Sequence, residues 1–419
     1  MDTRLRRDVA WNLVPIALLA GVGLGLNFAI AVWWGPEALA TFALVTTAMF
    51  ALAVVGAFGL QYAVLRAIAE APDDRPRVGA VVVGALIPNV VLAALATVGF
   101  IVARGAIARL HGSHDVGEGM LWAAPGLFCF AINKVLFGVV NGLRRMRAFA
   151  LYTALRYILI VVGLAVARVE RLGAAQLPVI WSLAEGALLL VLVAELAATV
   201  SLRERTGWLQ WSKAHLAYGA RGVTATLAFE INSKLDVWML GASGIAKSLV
   251  GAYSLAASLN EGASQVGVVV QNNLNPMMAR GLASGDPASV SALARRTRKW
   301  FVPSFVACCA AGALLFPHVI PALVADPRFA VAAAPFAVLM VGAALGSPYL
   351  PFTQVLLMGN RPGWHTVLVV ATVTVNLVAN LVLIPSYGIA GAAIATSLAV
   401  VASCVLVRTL ARRCVGARL

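Results

Sequence analysis

Residues 78–102 read VGAVVVGALIPNVVLAALATVGFIV, twenty-five consecutive residues without a charged side chain. A helix needs about 20 apolar residues to cross the hydrocarbon core of a bilayer, so this run is long enough to span a membrane once. Similar apolar runs continue from Trp11 almost to the C-terminus. The pattern predicts a polytopic all-α membrane protein rather than a soluble enzyme behind a secretory signal.

The composition supports the same class. Of the 419 residues, 61% are hydrophobic and 12% are charged, and the mean hydropathy is +0.90, whereas a soluble domain has about 25% charged residues. A formal net charge of +15 would favour nucleic-acid binding in a soluble protein. Here the basic residues lie between the apolar runs and no nucleic-acid-binding motif accompanies them. The five cysteines have no zinc-ligand spacing, so we expect no metal site and no disulfide framework.

The apolar runs predict twelve membrane spans. They lie near 11–34, 39–65, 78–102, 120–140, 148–167, 177–200, 223–240, 250–270, 300–324, 330–358, 366–385 and 389–407. If the N-terminus is cytoplasmic, the inner segments hold 23 of the 32 Lys and Arg residues and the outer segments hold 6. Because basic residues concentrate in cytoplasmic segments, we expect both termini to be cytoplasmic.

The longest predicted inner segment lies near the midpoint of the chain. Its tryptophans, Trp208 and Trp211, and the flanking basic residues are typical of an amphipathic segment in the headgroup layer. Weak similarity between the two halves, at offsets of 211 and 215 residues, favours a parallel repeat. The predicted organisation is an N-terminal six-helix lobe at 1–205, a cytoplasmic interfacial linker at 206–221 and a C-terminal six-helix lobe at 222–419.

Ionisable residues inside the predicted spans are the main functional signal. A central Lys, Arg or Asp costs roughly 2.5–3.5 kcal/mol on insertion scales, so such residues must face protein or water. In the seventh span, Glu230 and Lys234 have the i,i+4 spacing that favours a self-neutralising pair. Asn232 and Asp236 share the roughly opposite face of the same helix.

The eighth span carries a polar stripe. Its members, 4, 3, 4 and 7 residues apart, are Ser254, Ser258, Glu261, Gln265 and Asn272. A stripe along most of one helix face indicates a water-filled cavity or, alternatively, a polar contact between helices.

Two further cations lie in the fourth and fifth spans, Lys134 and Arg156. Arg156 either faces inward or extends to the cytoplasmic surface, since it lies about two turns from that end.

The five histidines are scattered and no Walker loop occurs, so we expect no catalytic residues, no cofactor and no enzyme activity.

Several strings along the chain carry a family resemblance. They are GP at 35–36, FAL at 42–44, GAFG at 56–59, LDVWMLG at 235–241, VGAYSLA at 250–256, NLVLIP at 380–385 and YGIAGAA at 387–393. In this order they resemble Wzx-like polysaccharide and O-antigen flippases of the multidrug/oligosaccharidyl-lipid/polysaccharide exporter superfamily. The chain departs from the fourteen-span branch that handles peptidoglycan precursors, because 11–34 contains no arginine.

The resemblance implies a MATE-like exporter fold of about twelve transmembrane helices in two six-helix lobes that face each other across a cationic cavity. It also implies a flippase that moves undecaprenyl-diphosphate-linked oligosaccharide from the inner to the outer leaflet of the bacterial cytoplasmic membrane. Alternating access would drive this step of surface polysaccharide synthesis, whether of lipopolysaccharide or of exopolysaccharide. The implied partners are the lipid-linked oligosaccharide, membrane lipids, a coupling proton or Na⁺ and polysaccharide polymerase machinery.

Residue types then suggest roles for the charged and amide side chains. A diphosphate in a low-dielectric cavity needs fixed positive charge, so the predicted diphosphate ligands are Lys134, Arg156 and Lys234. The predicted sugar ligands are Asn232, Gln265 and Asn272. The predicted ion-coupling residues are Asp236, Glu261 and Glu230.

Two other functions stay open at this point. One is a cation-coupled drug or small-molecule antiporter of the same superfamily, which would favour an acidic cavity lined by aromatic residues. The other is a membrane glycosyltransferase or ligase, which would need a large external loop with catalytic residues.

Overall fold

A computed structural model describes residues 21–201 and 206–419, apart from seven side chains between positions 222 and 233. Every regular element in these residues is helical. The helices are α1 Gly21–Trp34, α2 Pro36–Ala57, α3 Leu60–Glu70, α4 Arg75–Leu110, α5 His114–Gly142, α6 Met146–Val169, α7 Val179–Thr199, α8 Trp208–Ala242, α9 Lys247–Ala283, α10 Pro287–Val324, α11 Ala333–Gly346, α12 Val355–Met358 and α13 Pro362–Cys414. Two short 3₁₀ helices, Pro327–Ala332 and Leu350–Phe352, flank α11.

Within the described residues, eight helical segments are long and apolar enough to cross a membrane. They are α2, α4, α5, α6, α7, α10, α13 and the segment Pro327–Gly346 that contains α11. The protein is therefore a multi-pass membrane protein, as the apolar runs predict. Helices α8 and α9, at 35 and 37 residues, are long enough to cross a membrane but are not among these eight. They carry the charges and the polar stripe that were predicted for the seventh and eighth spans. The start of the predicted first span, Trp11, lies outside the described residues.

The structure corrects the second and tenth predicted spans. The single span predicted at 39–65 is broken at Phe58 and Gly59, whose φ angles are 49° and 71°. A Cβ atom on Gly219 of α8 would lie 2.1 Å from the carbonyl oxygen of Phe58, so only a glycine lets α8 approach this break. The span predicted at 330–358 is divided between α11 and α12, because Pro348 and Pro351 lack the N–H groups that a continuous helix needs.

The last two predicted spans form one long helix with a kink. Gly388, with φ 55° and ψ −130°, is the non-helical residue inside α13. Gly388 lies between the runs predicted at 366–385 and 389–407. The kink there separates the two predicted spans, although the chain does not leave the helix between them.

The described chain divides into two compact units. The first unit contains Thr41–Ile231 with the described residues up to Ala29, and the second contains Ile30–Ala40 with Asn232–Leu419. Residues 208–221 form the first half of α8, and the same helix continues into the run predicted as the seventh span. The lobes predicted at 1–205 and 222–419, with the linker at 206–221, stay a prediction.

Small residues allow close helix packing in the first unit. A Cβ atom on Gly138 of α5 would lie 2.4 Å from the carbonyl oxygen of Gln61 in α3. In α4, Asn89 is fully buried and donates to the carbonyl oxygen of Gly56 at 3.0 Å. Such contacts replace the hydrophobic driving force that is missing between helices in lipid.

The segment Ile30–Ala40 packs within the second unit. A Cβ atom on Gly251 of α9 would lie 1.7 Å from the carbonyl oxygen of Pro36. Beside it, Arg328 Nη1 lies 2.7 Å from Glu37 Oε1. A glycine contact and an exposed ion pair thus hold the start of α2 against α9 and the residues that precede α11.

Candidate functional site

The polar residues predicted inside the spans gather in two groups, one in each unit. The first charge cluster comprises Asn133, Lys134, Arg156 and Glu185, and the second comprises Asn232, Lys234, Asp236 and Glu261. Each is described separately below.

Arg156 in the first cluster is paired with a buried carboxylate. Its Nε atom lies 2.9 Å from Glu185 Oε1, and its Nη2 donates to Glu185 Oε2 at 3.1 Å. Asn133 Nδ2 donates to the same Oε2 at 2.9 Å, and the Glu185 side chain is 0% exposed. Arg156 therefore faces inward and does not extend to the surface. Glu185 was not predicted as a site residue, although its charge inside the sixth span was a visible signal.

Lys134 and Arg156 share an aromatic ring. Lys134 Nζ lies 5.2 Å and Arg156 Cζ lies 5.1 Å from the centre of the Phe130 ring, and Arg156 also lies 4.9 Å from the centre of Phe137. These are cation–π distances. Lys134 makes no ion pair within the described residues, although Glu230 and Glu185 act on it electrostatically. The two predicted cations are thus brought together; Glu185 contacts Arg156, and no described carboxylate contacts Lys134.

Lys234 in the second cluster has a different partner from the one that its spacing predicts. Its Nζ donates to both carboxylate oxygens of Glu261 in α9, each at 2.6 Å. The predicted pair with Glu230 is wrong, because the Lys234 side chain reaches the neighbouring helix instead of the preceding turn of its own. Side-chain exposures of 32% for Lys234 and 41% for Glu261 leave this pair partly open.

Asp236 is the buried acid of the second cluster, at 6% exposure. Its Oδ2 accepts a hydrogen bond from the Tyr253 hydroxyl at 2.5 Å and a longer one from Thr396 Oγ1 at 3.4 Å. Helices α8, α9 and α13 therefore meet at this carboxylate. Tyr253 and Thr396 were not predicted as site residues; each lies in an otherwise apolar run.

A line of asparagines lies beside Asp236. Asn376 Nδ2 donates to Asn232 Oδ1 at 3.2 Å, and Asn380 Nδ2 donates to Asn376 Oδ1 at 2.9 Å. Asn376 and Asn380 are both buried in α13. Sequence reasoning overlooked these two residues, whose i,i+4 spacing inside an apolar run was the signal that would have found them.

The predicted polar stripe of α9 is buried at its start and open further on. Ser254 and Ser258 are buried, Gln265 is half-buried and Asn272 is exposed. The neighbouring Gln271 donates to Thr353 Oγ1 at 2.5 Å, so the end of α9 also makes amide contacts with the segment before α12. No group of three or more His, Cys, Asp or Glu side chains is arranged to hold a metal in the part of the chain that the structure describes.

A profile of the family described as polysaccharide biosynthesis protein matches residues 5–282. A comparison with curated proteins found no match.

Solved exporters share the fold over nearly the whole chain. The lipid II flippase MurJ, in an inward closed conformation, has a TM-score of 0.79 at 12% identity and covers 96% of this chain and 87% of its own. An inward-facing multidrug-resistance MATE transporter of the MOP superfamily has a TM-score of 0.78 at 16% identity and covers 98% of each chain. A MOP superfamily transporter from Pyrococcus furiosus, described by a binding pocket of reverse polarity, has a TM-score of 0.63 at 16% identity and covers 98% of this chain and 95% of its own. The predicted all-α MATE-like exporter fold is therefore confirmed.

Proposed function

We propose that this chain, which belongs to the polysaccharide biosynthesis protein family, moves undecaprenyl-diphosphate-linked oligosaccharide from the inner to the outer leaflet of the bacterial cytoplasmic membrane. Family membership supports a role in building polysaccharide. The fold shared with a lipid II flippase supports a cargo that carries a lipid tail. The observation that carries the proposal is the position of Lys134 and Arg156 on one aromatic ring inside apolar helices.

The first charge cluster is suited to a diphosphate. An anion beside Lys134 and Arg156 would be attracted by both cations and would gain charge-assisted hydrogen bonds, although Glu185 offsets part of the charge of Arg156. The guanidinium of Arg156 uses part of its donor set on Glu185 and has further N–H groups for a phosphate oxygen. Lys134 is the better candidate for the first contact, because it makes no ion pair within the described residues.

The pair of Lys234 and Glu261 links the cargo to an ion in this proposal. A diphosphate that binds the Lys234 ammonium would displace the Glu261 carboxylate from it, and that carboxylate would then accept a proton or Na⁺. Asp236, held by Tyr253, is a second candidate for the coupling ion. Glu230 is a third, since it acts electrostatically on Lys134.

The sugars of the cargo are assigned to the amide side chains. Asn232, Gln265 and Asn272 offer both donors and acceptors, as hydroxyl-rich ligands require. Outward movement of the diphosphate is also favoured by an inside-negative potential, which is worth about 2.3 kcal/mol per unit charge per 100 mV. We place both termini in the cytoplasm and expect polysaccharide polymerase machinery to receive the product.

A cation-coupled drug antiporter is the second candidate function. The buried Asp236 with its tyrosine and threonine partners favours it, because a carboxylate in such a place could exchange a proton for a cationic substrate. The shared fold with a multidrug-resistance transporter supports it to the same degree as the flippase.

Glycan export in cells separates these two candidates. In a strain that depends on this chain for surface polysaccharide, Lys134→Gln should reduce export by roughly tenfold or more, since it removes a charge-assisted contact. Lys134→Arg should retain more export than Lys134→Gln, because arginine keeps the positive charge but changes the geometry of the contact. Lys213→Gln is the matched control, since Lys213 is an exposed lysine on α8. Normal export with Lys134→Gln, combined with drug resistance that depends on Asp236, would favour the antiporter.

A further inference from the structure

Arg298 of α10 lies outside both charge clusters and makes two contacts that orient its guanidinium. Its Nε atom donates to the carbonyl oxygen of Pro348 at 2.8 Å. Its guanidinium carbon lies 4.6 Å from the centre of the Tyr349 ring. A backbone acceptor and a stacked ring fix the plane of the guanidinium, so its other nitrogens point in set directions.

The charge of Arg298 is not balanced by a nearby acid. Among the described arginines, three have a buried nitrogen without a hydrogen-bond partner: Arg77, Arg156 and Arg298. Arg77 lies 2.9 Å from Glu70 and Arg156 lies 2.9 Å from Glu185, whereas Arg298 forms no ion pair in the described part of the chain. A buried charged donor without an acceptor is costly, so an acceptor beyond the described residues would stabilise Nη2 of Arg298.

Arg408 of α13 is a second arginine whose charge acts on Arg298, in the repulsive sense. Arg408 is exposed and forms no ion pair with a described carboxylate. Two guanidinium groups that pair with no described carboxylate attract an anion, and guanidinium binds phosphate with two parallel hydrogen bonds.

We propose that Arg298, Tyr349 and Arg408 form a binding site for a phosphate group, carried by an anionic lipid headgroup or free in solution. The fixed guanidinium of Arg298 supplies directed donors, Tyr349 holds its plane, and Arg408 adds charge from the neighbouring helix. The next tryptophan along α10, Trp300, is 53% exposed, as is typical of the membrane–water interface where lipid phosphates lie. The site is independent of the cargo proposed above.

Retention of lipid during purification tests the headgroup source. The protein is reconstituted into vesicles of phosphatidylglycerol or of phosphatidylcholine and is then extracted into detergent. Native mass spectrometry counts the lipid molecules that stay bound to it. We expect the wild type to retain phosphatidylglycerol, and Arg298→Gln or Arg408→Gln to lower that retention by roughly tenfold, the loss of one charge-assisted contact. Arg296→Gln removes an equal charge from an exposed position on the other side of α10 and should change retention less than twofold by comparison.

Equilibrium dialysis with radiolabelled orthophosphate tests the free source. Binding that is lost in Arg298→Gln and kept in Arg296→Gln, without retained phosphatidylglycerol, assigns the site to a free anion. Should Arg298→Gln fail to fold, Tyr349→Leu and Arg408→Gln give the same comparison. The proposal is overturned if neither probe binds, or if Arg296→Gln lowers binding as much as Arg298→Gln.

Discussion

The intramembrane cations of this protein differ in how firmly a carboxylate holds them. Arg156 is paired with the fully buried Glu185, so breaking that pair would leave a charge in a low-dielectric interior. Lys234 and Glu261 are both partly exposed, so their pair opens at a smaller cost. Lys134 makes no ion pair in the described residues. The three cations therefore differ in how much free energy it costs to separate each of them from a carboxylate.

The exchange proposed for Lys234 predicts a particular double-variant result. Lys234→Gln removes the cation that contacts Glu261, so both cargo movement and thermal stability in detergent should fall. The double change Lys234→Gln with Glu261→Gln also removes the carboxylate charge, so stability should recover while cargo movement stays low. Recovery of cargo movement in the double variant would mean that Lys234 only neutralises Glu261.

The sequence was sufficient to predict which charged residues lie inside the protein's apolar helices, but not which residues contact each other. Any Lys or Asp in an apolar run stands out by its insertion cost. Its partner depends on helix register and on side-chain reach, and Lys234 pairs with a residue on the next helix instead of one four positions away. Asn376 and Asn380 were overlooked because asparagine carries no charge and has a smaller insertion cost.

Contacts between helices rest on single glycines. Gly138→Ala would bring a Cβ atom to 2.4 Å from the Gln61 carbonyl oxygen, and neither backbone can move away easily. We expect about 1–3 kcal/mol of lost stability from such overpacking. Gly186 is the matched control, because a Cβ atom there meets nothing within 4 Å. Melting of both variants in detergent by intrinsic fluorescence measures the difference, and equal behaviour would contradict the packing described for α3 and α5.

The first half of α8 is docked on α4 through polar contacts. Ser212 Oγ donates to the carbonyl oxygen of Gly84 at 2.8 Å, and His215 Nε2 lies 3.3 Å from the carbonyl oxygen of Val81. Burial lowers the pKa of His215 below its usual value of 6.5, although the hydrogen bond to Val81 acts in the opposite direction. Burial therefore favours the neutral form of His215 in the folded protein.

The lowered pKa of His215 predicts loss of stability in acid. The unfolded chain takes up a proton near pH 6.5, while the folded chain resists it to lower pH, so stability decreases as pH falls below about 6.5. Melting temperatures measured between pH 7.5 and pH 5.5 should fall further in the wild type than in His215→Gln. His114→Gln, at an exposed position, is the control. Parallel pH curves for wild type and His215→Gln would contradict a buried neutral histidine.

Hydropathy predicted most elements because span length is set by bilayer thickness. The breaks were harder to place. The chain reads as apolar through Phe58 and Gly59, and it is the close approach of Gly219, a contact distant in sequence, that accompanies the break there. The first half of α8 also reads as a surface segment, whereas Ser212 and His215 are buried against α4.

At the scale of the whole molecule, the charge distribution predicts the topology. With 23 basic residues in the predicted inner segments and 6 in the outer ones, both termini should be cytoplasmic. Alkaline phosphatase fused at Arg203 or after Leu419 should be inactive, and green fluorescent protein at the same points should fluoresce. A fusion after Ser113, in a predicted outer segment, should give the opposite pattern. An external C-terminus would contradict the predicted orientation.

Movement of cargo by purified protein tests the flippase most directly. Proteoliposomes are loaded with undecaprenyl-diphosphate-linked oligosaccharide, and a membrane-impermeant glycosidase reports how much sugar has reached the other leaflet. The wild type should move the cargo much faster than empty liposomes, Lys213→Gln should match it, and Lys134→Gln should be slower by roughly tenfold or more because one charge-assisted contact is lost. Equal rates with and without the protein, or equal rates for the wild type and Lys134→Gln, would contradict the account.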